Sequence, residues 1–382
     1  MSAIALRPRR TEETAPSLTL DLAAVARNTE LIAGRTAGEL MAVVKADGFG
    51  HGAADVARTA LAHGATRLGV TSLAEAFALR DAGLVAPVLS WLNGADADFA
   101  GAAARDVEVA VPGVPHLAAV AAAPGRQRVH LHVDAGMARD GAEPAAWPAL
   151  CRAARRAEER GQLEVVGVMG HLGCADDPDD DCNALGRHRF AWAVEVARSA
   201  GLCPRDRHLA ATAATLTDPR SHHTMSRVGA GLVGIDPSGR TTLEPAMTLA
   251  APLLQVRRVR AGTPVGYGHT HRTTRPTYLG LVGLGYADGL PRAASGRAQV
   301  SVRGARRPVV GRISMDQLVV DLGSTGAEAG DLVTVFGPGA GGAPTAAEWA
   351  EWAGTIEHEV VTGIGARVAR RTVAASHLRS LS

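Results

Sequence analysis

Residues 42–52 read AVVKADGFGHG, an apolar run that ends on a lysine and breaks at once into a glycine-rich turn. The run, Leu40–Lys45, is short and continuously apolar up to its last residue, as a strand buried on both faces is. A helical stretch, Ala53–His63, follows it, and the unit then recurs along the chain. Arg67–Thr71, Pro87–Leu92, Val107–Val111, Val129–Asp134, Leu163–His171, Arg207–Thr212 and Arg227–Gly234 read as further strands. Leu73–Ala82, Pro144–Arg160 and Asn183–Ala200 are helices between them. Eight strands alternating with helices predict an α/β fold, a (β/α)8 TIM-type barrel rather than an open sheet. From about residue 245 the texture changes to short strands between Gly/Pro turns: Val256–Arg260, Thr277–Tyr286, Gln299–Arg303, Val309–Ile313, Leu318–Leu322 and Leu332–Phe336. A helix at Thr345–Trp352 and a last strand at Val368–Val373 complete a smaller, mostly-β C-terminal domain. The expected organisation is a mobile Arg/Glu/Pro-rich tail over 1–16, a barrel over 17–244 and a β domain over 245–382.

Composition removes several classes of function. The 382 residues are 46% hydrophobic and 20% charged, with a net charge of +2, which argues for a soluble enzyme and against nucleic-acid or anionic-membrane partners. No apolar run reaches the length of a membrane span. Arg7, Arg9, Arg10, Thr11, Glu12 and Glu13 leave no room for a secretory h-region, so a cytoplasmic location is expected. Cys151, Cys174, Cys182 and Cys203 form no C-x-x-C pair, so no structural metal is expected, and a chain of this size needs no disulfide framework. The acidic run Asp176–Asp181 reads as a solvated loop capping the helix from Asn183. Among 40 cationic residues Lys45 is the only lysine. Lysine differs from arginine in that it can lose its proton and act as nucleophile or base.

A barrel gathers its chemistry at the C-terminal ends of its strands. Those ends carry Lys45, Asp134 leading into Gly136-Met137-Ala138-Arg139, His171, Thr212, and Arg227 with Gly229. Taken singly, Gly48–Gly52 reads as a plain turn, His171 as a structural histidine, Thr212 as a helix cap and Arg227 as a surface residue. Together on one rim, a sole lysine, several cations and a region suited to phosphate after strands seven and eight point to a phosphorylated aldehyde cofactor.

AVVKADGFGHG resembles the cofactor-lysine motif of the alanine racemase family, fold-type III pyridoxal-phosphate enzymes. The resemblance continues in order through HVDAGMARDG (His132–Gly141), GVMGHLGCADD (Gly167–Asp177), SRVGAGLVG (Ser226–Gly234), VGYGHT (Val265–Thr270), GYADG (Gly285–Gly289) and GRISMDQ (Gly311–Gln317). It implies a head-to-tail homodimer in which each active site is completed by the partner's β domain, pyridoxal 5'-phosphate as cofactor and a small amino acid, L-alanine above all, as substrate. Lys45 is implied to carry the cofactor and to exchange the α-proton on one face. Tyr267, from the other subunit, is implied to exchange it on the opposite face. A free tyrosine titrates near ~10, and cations lower a phenol's pKa, so His171 and Arg227 are the natural neighbours to activate it. The resemblance further implies that Arg227 donates to the pyridine nitrogen and that Thr212, Gly229 and Ala230 cradle the phosphate. Arg139 contacts the cofactor oxygen and the substrate carboxylate, the Met315 backbone helps bind that carboxylate, and Tyr286 stands at the entrance.

Four positions depart from the family pattern. Phe49 and His358 stand where tyrosines usually contact the phosphate, and Ala211 where an amide is common. His132 replaces a lysine whose carbamate holds the arginine equivalent to Arg139; a bound anion, or neutral His132 accepting from Arg139, would substitute. These departures favour a pocket that accepts more than alanine. The alternative functions are a diverged enzyme on the same scaffold acting on another amino acid or in another reaction of specialised metabolism, and a cofactor-binding protein with little catalysis, which would need no Tyr267.

Overall fold

The structure, a computed structural model, describes residues 15–324 and 326–373. Most of the expected N-terminal tail, residues 1–14, lies outside them. The chain forms two compact units, Leu22–Glu244 and a second made of the residues up to Asp21 together with those from Pro245 onward.

The first described strand, β1 (Ser17–Asp21), was expected inside the barrel segment. It belongs instead to the second unit. Its alternating Leu18 and Leu20 are buried there, antiparallel to Met247–Ala250 and parallel to Ala369–Val373. The first unit contains eight parallel strands: β2 (Glu39–Val43), β3 (Arg67–Val70), β4 (Val88–Ser90), β5 (Val107–Val111), β6 (Gln127–His132), β7 (Leu163–Met169), β8 (Asp206–His208) and β9 (Met225–Val228). They pair in the order β8-β7-β6-β5-β4-β3-β2-β9. The ends meet where Thr224 N donates to Arg207 O (3.1 Å) and Arg227 N to Ala210 O (3.0 Å), so the sheet curls into the expected near-closed barrel. With helices outside, these strands are covered on both faces, which is why β3, β5 and β9 are buried throughout. With few aromatics, the core relies on aliphatic and sulfur side chains. Met41, Leu89, Ala110, Met169 and Met225 cluster with Trp91.

The second unit is mostly β. Its long strand β10 (Met247–Val259), 13 residues where only Val256–Arg260 was expected, serves three neighbours, β1 and Leu332–Phe336 on either side of its first half and Thr277–Val282 along its second. A register shift between Leu253 and Gln255 accompanies the change of partner. The expected strand at Val309–Ile313 is displaced. Pairing with Gln299–Val302 falls on Ala305–Pro308, and beyond it only Val309 bridges to Val320. A short helix at Glu357–Thr362 was not anticipated.

Candidate active site

β2 ends at Val43, two residues short of Lys45, because the backbone reverses hand there. Ala46, Asp47, Gly48, Phe49 and Gly50 all have φ between 51° and 79°, a left-handed helical turn. Such a turn costs roughly 1–2 kcal/mol at each residue bearing a Cβ, here Ala46, Asp47 and Phe49. Local bonds offset the strain. Gly48 N donates to Val44 O (2.9 Å), Gly50 N to Ala46 O (3.0 Å) and Ala53 N to Asp47 Oδ1 (2.9 Å). The turn raises Lys45 at the end of β2, half-buried.

Glu75, which sequence reasoning passed over, braces this turn from the next unit of the barrel. Its Oε1 accepts from Ala46 N (2.8 Å), while its Oε2 accepts from Thr71 N (2.9 Å), Thr71 Oγ1 (2.6 Å) and Ser72 N (3.1 Å). Ser72-x-x-Glu75 is a capping box legible in the sequence, but its reach across to Ala46 is not. Partial burial works against the Glu75 carboxylate, yet these four donors hold its pKa below the ordinary value.

Lys45, Arg139, His171 and Arg227 stand close enough to act on one another electrostatically. The Lys45 amine has its pKa lowered first by burial, then by the Arg139 and Arg227 charges, with Glu75 opposing. Arg139 is exposed on a loop shaped by Asp134, whose carboxylate accepts from Gly136 N, Met137 N and Ala138 N at 2.8–3.2 Å. Arg227, 5% exposed, is fixed inside the barrel. Its Nη1 donates to His208 O (2.8 Å) and His208 Nδ1 (2.9 Å), and its Nη2 donates to Gly170 O (2.7 Å) and lies 3.3 Å from His171 Nδ1.

His171 does not meet the expectation that it is a cation able to activate a phenol. Burial, then the charges of Arg227 and Arg139, push its pKa down to about 3, so it is neutral. Arg227, lowered by burial only to about 10, remains charged. His132 also differs from expectation. It faces Asp140 rather than Arg139, with Nδ1 3.4 Å from Asp140 Oδ2, an electrostatic contact longer than a good hydrogen bond. Burial opposes the Asp140 carboxylate, but His132, Gly141 N and the Arg139 charge together lower its pKa.

Phe49 and Gly229 are brought together: a Cβ on Gly229 would come within 2.5 Å of the Phe49 ring and 3.0 Å of Val43 O. Thr212, expected at a strand end, instead opens the helix Thr212–Thr217, and its Oγ1 accepts from Gly231 N (3.2 Å). Ala230 and Thr212 are both buried beside this bond. Lys45, Phe49, Arg139, His171, Thr212, Arg227, Gly229 and Ala230 thus all belong to the C-terminal ends of β2, β6, β7, β8 and β9 or the loops beyond. An amine with a weakened ammonium form, set among guanidiniums, fits an anionic carbonyl compound by the chemistry of its donors.

The remaining expected residues lie in the second unit, where three motifs share one surface. Tyr286 N donates to Ser314 O (3.0 Å) and Ala287 N to Met315 O (2.9 Å), an approach so close that a Cβ on Gly285 would clash with both carbonyls. Tyr267 sits on a one-turn 3-10 helix, Tyr267–His269, and is 71% exposed. Met315 and Tyr286 are exposed as well. His358 is half-buried on Glu357–Thr362. Arg367 ties two of these motifs together, pairing with Asp316 (2.8 Å) and Asp288 (3.3 Å).

Two features around the acidic loop were not read from sequence. Cys174 and Cys182 are joined as a disulfide, with Cα atoms 6.5 Å apart. Asp181 precedes the helix Cys182–Ser199 without capping it through its side chain; Asp180 Oδ1 accepts from Cys182 N instead (2.8 Å). Among the described residues no helix is long and apolar enough to cross a membrane.

Comparison with known proteins agrees with this geometry. Residues 20–237 match the alanine racemase N-terminal domain and residues 246–372 the alanine racemase C-terminal domain. The chain is 46% identical over 365 residues to an alanine racemase of Frankia casuarinae, covering 93% of this chain and 95% of that one. The crystal structure of alanine racemase from the D-cycloserine producing Streptomyces lavendulae superposes with a TM-score of 0.91 at 41% identity, over 95% of this chain and 98% of that one. A structure of alanine racemase from Bartonella henselae with covalently bound pyridoxal phosphate superposes at 0.85 with 25% identity, over 94% and 99%. The chain belongs to the alanine racemase family.

Proposed function

We propose that this member of the family interconverts L- and D-alanine, with pyridoxal 5'-phosphate held covalently by Lys45 and a second copy of the chain completing each site. The observation that carries the reading is the environment of Lys45. The sole lysine of the chain is lifted on a strained turn into a cluster of guanidiniums that, with burial, favours its neutral, nucleophilic form. When bound, the cofactor supplies a conjugated electron-accepting ring that acidifies the substrate's Cα–H.

The protein's own groups have distinct tasks in this scheme. The Lys45 amine exchanges the α-proton on one face, and Tyr267 of the partner subunit exchanges it on the other. Arg227, charged and held by groups at the ends of β7 and β8, would stand at the ring nitrogen; a guanidinium keeps its own proton, so it would leave the ring a weak electron sink and disfavour side reactions. Thr212, Gly229 and Ala230 would hold the phosphate, with Phe49 beside it lacking a tyrosine hydroxyl whose hydrogen bond would be worth on the order of 1 kcal/mol. His358, in place of a tyrosine, would donate to the same phosphate. Arg139 and the Met315 backbone take the substrate carboxylate, and Tyr286 narrows the entrance. Asp140, beside His132, places a negative charge near Arg139.

Deuterium uptake at Cα from heavy water tests this directly. L-alanine and D-alanine should both exchange and converge on the racemate. Exchange of one enantiomer alone, or faster turnover of a different amino acid than of alanine, would overturn the reading.

A further inference from the structure

A barrel interior is ordinarily filled with apolar side chains, yet this one carries a line of buried polar groups from Arg227 toward the opposite end of the strands. Arg227 Nη1 meets His208 Nδ1 at 2.9 Å, His208 Nε2 meets His130 Nδ1 at 2.9 Å, and His130 Nε2 meets Glu108 Oε2 at 3.0 Å. His130 and His208 are fully buried, and Glu108 is 1% exposed. At the far end Glu108 is surrounded by guanidiniums: Arg67 at 3.3 Å, Arg128 at 3.4 Å and Arg205 at 3.9 Å. Arg67 in turn pairs with Glu39 (2.6 Å) and Asp206 (3.3 Å).

The direction of this line follows from its ends. A guanidinium only donates, so His208 Nδ1 must be bare and its proton must sit on Nε2. That proton is given to His130 Nδ1, which must therefore also be bare. The His130 proton on Nε2 is then given to Glu108, which accepts as a carboxylate. Burial alone would raise the Glu108 pKa, but His130, Arg67 and Arg128 outweigh it and hold it at about 2, so it stays ionised. His208 has its pKa driven well below the ordinary value, first by burial and then by the Arg227 charge, with Arg67 adding to it.

We infer that Glu108 is a positioning residue for Arg227, acting across the barrel: it terminates a one-way run of hydrogen bonds that keeps the lone pair of His208 on the guanidinium. With only apolar contacts at position 108, His130 has no reason to keep its proton on Nε2, and the ring is free to rotate or change tautomer. His208 then loses its acceptor and is free to turn a proton toward Arg227. The orientation of the guanidinium loosens although nothing near the substrate has changed. The tautomers follow from the protein's geometry alone; the catalytic consequence rests on the proposed role of Arg227.

The test is the protonation of the two rings in the cofactor-loaded protein, read from ring 15N shifts with histidine labelling and assigned through His130→Asn and His208→Asn. Both should carry their proton on Nε2, as the hydrogen-bond geometry requires, and His208 should stay neutral from about pH 5 to about pH 9. Glu108→Gln keeps an acceptor and should keep both tautomers, with kcat within about threefold of the parent, the effect of lost charge alone. Glu108→Leu should give mixed tautomers at both rings and lower kcat about tenfold, with KM within about twofold, the equivalent of one hydrogen bond. His208 found protonated on Nδ1 in the unsubstituted protein would overturn the inference without any variant having to fold. Glu108→Leu with unchanged tautomers and unchanged kcat would overturn it as well. Because the nitrogen shifts do not depend on alanine turnover, a failure of the proposed activity would leave this test intact.

Discussion

Lys45 and Tyr267, proposed to work on opposite faces of one carbon, are built in contrasting ways. The lysine is half-buried on a left-handed turn, and the groups that lower its pKa and brace its backbone all lie in its own unit. The tyrosine is 71% exposed on a single 3-10 turn, between Gly266 and Gly268 at φ 67° and 70°. One residue arrives with its environment complete. The other waits for a surface to cover it, which in the proposed dimer is a second copy of the chain. A strained, self-supporting element and an exposed, adaptable one are, in the proposed scheme, two halves of the same chemistry.

The largest effect expected from breaking this contrast comes from removing the two groups separately and recombining them. Lys45→Ala and Tyr267→Phe should each lower racemisation by on the order of 10³-fold or more. Mixed and reassembled in equal amounts, the two variants should recover about a quarter of the parent rate, because half the dimers are hybrids and each hybrid has one intact site of two. No recovery in a mixture that demonstrably exchanges subunits would place both residues in one subunit's site.

A smaller effect is expected where the turn is braced. Glu75→Leu leaves the N–H groups of Ala46, Thr71 and Ser72 and the Thr71 hydroxyl without their acceptor. Stability to urea should fall by on the order of 3 kcal/mol. Covalent capture of the cofactor by Lys45 should slow in the same variant. An unchanged urea midpoint would show that the turn holds itself. The corresponding change on the tyrosine side, Gly268→Ala, puts a Cβ at φ 70° and should cost only about 1–2 kcal/mol of stability, less than Glu75→Leu, while acting mainly on turnover.

The smallest effect concerns acid. His171 has a pKa near 3 in the folded chain against 6.5 ordinarily. Below pH 6.5 the unfolded chain binds a proton that folded His171 refuses, so stability is full above that pH and is lost as pH falls toward 3. His208 contributes in the same direction. His171→Gln should make the fall of unfolding free energy between these pH values shallower without abolishing it. A steeper fall in the variant would mean that His171 is protonated in the fold.

The eight barrel strands and the β-rich second unit were legible because each leaves a local signal, a continuous apolar run or a strand bounded by turns. Ser17–Asp21 was misplaced because a strand does not announce which sheet it joins; only pairing with Met247–Ala250 decides that. The extra length of Met247–Val259 was hidden for the same reason, since its first half is specified by Leu332–Phe336, far along the chain. Within the site, Lys45 stood out by being alone. Asp140 was overlooked beside the more unusual His132. Glu75 and Glu108 were overlooked because their partners are 29 and 22 residues away, on neighbouring strands and loops. Glu108 did leave a trace, a charge in the middle of the otherwise apolar VEVAV, which is costly to bury unless it is paired.

The central claim is that the single amine of this chain is the cofactor's anchor. Borohydride reduction of the protein incubated with pyridoxal 5'-phosphate, followed by mass mapping of its peptides, tests it most directly. One reduced adduct per chain is expected, on the peptide that contains Lys45, with loss of the absorbance band of the bound cofactor in step with it. Reduced protein that carries no adduct at Lys45 would contradict it.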